Sequence, residues 1–118
     1  MNGHDITEQT RLLSHQHYAV VIDRDPELIG RAASLLAEHI SAHGGTGGQR
    51  LSALILGRPW DEARKRMLGD GAEGRLLRSN SPFSTLIGIP DPKERKRLWR
   101  QARRDLMDRM SSSEQSAA

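Results

Sequence analysis

The chain has 118 residues, of which 36% are hydrophobic, 28% charged and only 3% aromatic, and it contains no cysteine. That length supports one domain rather than two, and the missing thiols exclude a disulfide framework, a thiolate zinc site, an iron–sulfur cluster and a cysteine nucleophile together. Basic residues outnumber acidic ones by 18 to 15, a net charge of +3. Most of the cations are arginine, a bias that reads first as GC-rich bacterial coding and second as a need for forked phosphate donors.

Met1–Gln16 shows no basic stretch followed by an apolar one, so it does not read as a secretory signal. The longest uninterrupted apolar run, Tyr18–Ile22, is far shorter than the roughly 20 residues of a membrane span. The expectation is a soluble, cytoplasmic protein that does not engage a membrane. Residues 1–16 are polar and read as a flexible N-terminal segment, with at most a short helical turn from Thr7 to Ser14. Residues 111–118 (SSSEQSAA) read as a disordered tail. The folded part is expected over 17–110.

His17–Asp23 (HYAVVID) is continuous and β-branched, as strands covered on both faces tend to be. Asp25 then reads as an N-cap with Pro26 at the first helical position. Leu28, Ile29, Ala32, Ala33, Leu36 and Ile40 keep helical spacing as far as His43, where Gly44 is placed to end the helix. Gly44–Gly48 (GGTGG) reads as a linker, since it lacks the strand-to-helix position and Lys-Ser/Thr ending of a phosphate loop. Leu51–Leu56 (LSALIL) reads as a second buried strand, which makes a parallel βαβ unit. A shorter helix follows from about Trp60 to Leu68. Arg75–Arg78 and Phe83–Ile89 read as a hairpin. Asp91-Pro92-Lys93-Glu94 has the form of a capping box, opening a helix to about Met110.

The expected fold is therefore α/β, a small mixed sheet in the order β-α-β-α-β-β-α. The order β-α-β-α-β-β is similar to that of the Alba chromatin proteins and of the C-terminal domain of a bacterial translation initiation factor, both nucleic-acid binders. The likeness is one of element order alone.

The last helix carries the clearest functional signal. From Lys93 to Arg104 there are seven basic residues against one acid, Glu94. At 100° per residue, Leu98, Trp99, Ala102, Leu106 and Met110 share one stripe, expected to face the core. Lys93, Lys96, Arg97, Arg100 and Arg104 gather on the other side. Like charges on one face repel, and folding does not require the arrangement; phosphates would relieve it with release of counterions. Arg64 and Lys65, on the shorter helix, are candidate extensions of the footprint.

Other signals point to structure. His39 and His43 have i, i+4 metal-ligand spacing, but no glutamate follows the first histidine. Both are expected near the apolar side, bonding the last helical carbonyls. Asp23 is a weak catalytic candidate at a strand end. Trp60 and Trp99 have the chemistry of base-stacking platforms, yet their positions read as packing. No metal, cofactor or catalytic set emerges. The expected function is that of a small non-catalytic nucleic-acid-binding accessory protein of a bacterium, plasmid or phage. The alternative is a protein-binding regulator or inhibitor of phage or mobile-element type, using the same basic face on an acidic protein partner.

Overall fold

The structure, a computed structural model, describes the backbone of residues 3–117 and the side chains of residues 5–111. The described residues form seven helices and no strand: α1 (Gly3–Arg24), α2 (Glu27–His43), α3 (Gly47–Leu56), α4 (Trp60–Met67), α5 (Ala72–Ser79), α6 (Phe83–Leu86) and α7 (Pro92–Ala117). This overturns the α/β expectation with its parallel βαβ unit and hairpin. It also removes the likeness to Alba and the initiation-factor domain, which rested on element order.

Each expected strand is helical for a local reason. His17–Asp23 is the C-terminal third of α1. The positions α1 buries are Gln9, Leu12, His15, Tyr18, Ala19 and Ile22, which step by three residues apart from the adjacent pair Tyr18 and Ala19, whereas Val20 lies 43% exposed. Two inward positions are polar, so the apolar run looked isolated and β-like. Leu51–Leu56 belongs to α3, which buries Gly48, Ser52, Ile55 and Leu56 and leaves Leu54 63% exposed. Its start is a complete capping box: Gln49 N donates to Thr46 Oγ1 at 3.1 Å, and Thr46 N donates to Gln49 Oε1 at 3.0 Å. Arg75–Arg78 lies in α5 and Phe83–Leu86 is α6. Helices satisfy their backbone groups locally, so segments of four to ten residues need no strand partner.

Other expectations hold. α2 ends at His43, with Gly44 at φ +74°, a conformation that favours glycine. α4 falls where the shorter helix was expected. Asp91 Oδ1 accepts from Lys93 N at 3.0 Å and starts α7. Glu94 does not close the box; its carboxylate accepts from Arg97. Asp25 makes no side-chain cap on α2, whose N-cap position is Pro26. α7 runs on past Met110 to Ala117; the side chains of residues 112–118, within the expected tail, lie outside the described residues.

The chain divides into two compact units. One comprises Met1–Ser14 and Ile89–Ala118, the other His15–Gly88. In the second, Ile55, Ala63 and Leu77 form a core cluster, with Leu51 and Trp60 packed against it, so that α3, α4 and α5 share one interior. The α4–α5 joint is held by Arg78, only 5% exposed, whose guanidinium donates to the carbonyls of Met67 (2.9 Å) and Gly69 (2.8 Å). Met67 is the last residue of α4 and Gly69 lies in the turn beyond it, so these carbonyls lie where a helix leaves acceptors unpaired and a charged donor is worth more than a neutral one. Arg66 adds a forked pair with Glu73, both contacts 2.8 Å. Ser52 is 4% exposed, and its hydroxyl has no hydrogen-bond partner among the described residues. It faces a void of about 20 Å³ lined by Ile55, Met67 and Phe83.

In the first unit, Leu12 and Ala102 are buried. Asp105 accepts from Gln9 Nε2 at 3.4 Å and from Gln101 Nε2 at 2.8 Å.

Candidate nucleic-acid interface

α7 places the five expected cations as the sequence implies. Lys93, Lys96, Arg97, Arg100 and Arg104 are all exposed. Arg97 alone among the five has a carboxylate partner among the described residues: its Nε and a terminal nitrogen both lie 3.0 Å from Glu94 Oε2. Both side chains are largely in water, so the pair contributes little. Arg104 donates to the neutral Gln101 Oε1 at 2.8 Å. Arg95, which lies off this face, donates to the carbonyls of Ile89 and Pro90, each at 2.9 Å.

The position of these charges along the helix also matters. Lys93 falls in the first turn of α7, where the helix dipole is positive and a cation is disfavoured by about 0.3–1 kcal/mol. Neither packing nor helix electrostatics favours this arrangement. An anion laid along the face would reverse both penalties.

The buried side of α7 differs from expectation. It centres on Ala102, which is fully buried, flanked by half-buried Leu98, Gln101, Asp105 and Leu106. Trp99 is 44% exposed and Met110 47% exposed, so neither is core. Met107, 48% exposed, extends the same strip. The guanidinium of Arg103 sits 5.8 Å from the centre of the Trp99 ring, within cation–π range. The hydrophobic pattern placed Trp99 inside because the true buried seam is narrower and more polar: it uses a glutamine, an aspartate and an alanine.

Arg64 and Lys65 belong to the other unit. Arg64 is bound internally, its Nε lying 3.2 Å from both oxygens of Asp23, and the same carboxylate accepts from Trp60 Nε1 at 2.7 Å. Trp60 and Arg64 are one turn apart on α4, so both clasp the end of α1. The Trp60 bond first, and then the Arg64 guanidinium, hold the Asp23 carboxyl below its ordinary range. Asp23 is thus an anchor point, and Trp60 is a packing residue with its polar tip satisfied. Lys65 is exposed. Arg66 and Glu73 shift each other in the expected directions, up and down respectively.

The histidine expectation is corrected. His39 and His43 are exposed, with ring centres 4.9 Å apart. Among the described residues no group of three or more His, Cys, Asp or Glu side chains is placed to hold a metal. A cleft of about 330 Å³ opens between α2, the start of α3 and the α5–α6 turn, lined by Leu36, His39, Gln49, Asn80 and Thr85 among others. Its two amides are already used: Gln49 closes the α3 cap, and Asn80 Nδ2 donates to Leu76 O at 2.9 Å.

No protein-family model, curated protein or solved structure matches this chain. Among the described residues no helix is long and apolar enough to cross a membrane.

Proposed function

We propose that the protein binds nucleic acid in the cytoplasm, without catalysis, through the cationic face of α7. One observation supports this reading above the rest: five exposed cations share a helix face, and among the described residues only one of them, Arg97, is paired with a carboxylate. Contacts of this kind neutralise phosphates and release condensed counterions, and they position a protein without reading sequence. Arg64 is left out of the footprint because Asp23 occupies it.

The test is fluorescence anisotropy of a labelled oligonucleotide over a salt series. Five neutralised phosphates give a log–log salt slope of roughly −4.5 on a duplex and −3.5 on a single strand. Raising salt from about 50 to 200 mM then weakens duplex binding by on the order of 10²- to 10³-fold. The double reversal Arg97→Glu, Arg100→Glu lowers affinity for every sequence alike. Absence of binding at low salt, or tight binding indifferent to the reversal, rejects the proposal. An acidic protein captured from nuclease-treated lysate and lost on the same reversal would replace nucleic acid as the partner.

A further inference from the structure

We infer that Trp99 is a base-stacking platform, so that α7 prefers single-stranded nucleic acid to duplex. This rests on the reading of α7 as a phosphate-binding face and names the substrate class of that face.

The inference starts from an indole that is not where its helix position would put it. Trp99 is 44% exposed, while the buried seam runs through Ala102 on one flank. On its other flank lies the cationic face: counting about 100° per residue, Lys96 is displaced from Trp99 by roughly 60° and Arg100 by roughly 100°. Lys96 and Arg103, at i−3 and i+4, are its neighbours one turn to either side. Arg103 already lies over the ring at 5.8 Å. The indole therefore stands among cations, with part of its surface open to solvent. Exposing so much aromatic surface is unfavourable for the free protein, and no hydrogen bond on the indole nitrogen is made among the described residues. This contrasts with Trp60, which packs against the Ile55–Ala63–Leu77 cluster and bonds Asp23.

An aromatic ring beside phosphate-binding cations matches the two halves of a nucleotide. The base has a π-face that stacks on indole whatever its identity, and the flanking phosphates meet the cations. A duplex cannot use the ring in this way, because its base faces are already stacked and opening a step costs a few kcal/mol. A flexible single strand presents its bases freely. Met107 and Met110, 48% and 47% exposed on the same strip, extend the apolar surface by about three turns.

The experiment measures the affinity of the full chain for a labelled oligo-dT and for a mixed-sequence duplex of equal length, with wild type, Trp99→Ala and Trp99→Phe. Wild type is expected to bind the single strand more tightly. Trp99→Ala should weaken single-strand binding by about 10-fold, the loss of one stacked base. Its duplex affinity and duplex salt slope should stay unchanged. Trp99→Phe should recover part of the loss. Thermal unfolding of each variant checks that the fold persists, which an exposed position allows. Equal affinity of wild type for both probes, or an alanine variant that binds both as wild type does, overturns the stacking role and leaves the basic-face reading standing. An alanine variant equally weakened on both probes also overturns it, since the ring would then be acting without regard to free bases. Failure of both probes to bind at low salt overturns the basic-face reading and this inference with it.

Discussion

Replacing Gly74 by alanine should destabilise the protein, although the same replacement in a helix usually helps. Gly74 lies in α5, and a Cβ built on it would fall 2.1 Å from the carbonyl oxygen of Gly69, 2.8 Å from its carbon and 3.0 Å from a terminal nitrogen of Arg78. Ordinary contact begins near 3.4 Å, so the α4–α5 turn must retreat by more than an ångström. The obstructing carbonyl cannot move freely, because Arg78 grips it at 2.8 Å while also holding Met67 O. Weakening one such charge-assisted bond costs about 1.5–3 kcal/mol, and overpacking adds about 1–3 kcal/mol. Helix propensity returns about 1 kcal/mol. The net loss is about 1.5–5 kcal/mol, a fall in Tm on the order of 10 °C for a chain of this size. Gly30→Ala is the matched control. Gly30 sits in the exposed face of α2 with nothing within 4 Å of the added carbon, so alanine there should stabilise by about 0.5–1 kcal/mol. Urea unfolding followed by far-ultraviolet circular dichroism measures both. A Gly74→Ala variant as stable as Gly30→Ala would refute the close approach of α5 to the Gly69 turn.

Ser52→Ala should raise stability by about 1 kcal/mol, because it removes a buried hydroxyl with no partner among the described residues; a loss above about 1 kcal/mol in the same urea assay contradicts that account. Thr46→Ala should cost about 1 kcal/mol by opening the α3 capping box, and amide exchange should quicken first at Gln49, whose N–H loses its acceptor. Asp23 and Glu73 set part of the acid response. Their native pKa values lie below the ordinary 3.8 and 4.5, so the unfolded chain binds protons first as pH falls. Their contribution is complete above those values and is lost as pH drops through the lower native ones. Asp23→Asn should therefore flatten the fall in Tm below about pH 4; an unchanged acid limb shows that the Trp60–Arg64 clasp carries no protonation-linked stability.

Several features were legible because their physics is local. Asp91 and Pro92 start α7 within one turn, Gly44 ends α2 through its own backbone freedom, and the Lys93–Arg104 charge excess needs only a helix to become a face. A further local signal went unused: Thr46-Gly47-Gly48-Gln49 before an apolar run has the capping-box form, and it marks α3 where a linker and a strand were expected. Gln9 and His15 hid the helical period of α1, since polar groups at inward positions break the pattern that a hydrophobic count detects. The Arg78 grip on the Met67 and Gly69 carbonyls joins residues 9 and 11 apart in the chain and had no sequence signature.

Charge, caps and chain-ending glycines acted on their own neighbourhoods, and so were written in the order of residues. Whether LSALIL or HYAVVID became helix or strand depended on what lay beside it, because a β-branched or leucine-rich run satisfies its backbone either along itself or across to a partner. No partner edge forms among the described residues, and packing onto neighbouring helices decided for the coil. The same dependence governs Trp99: its helix position was readable, but the burial of Ala102 and Leu98, rather than the indole, was settled by where the contacts of α7 fell. Burial is a property of two surfaces meeting, and a single strand of letters describes only one of them.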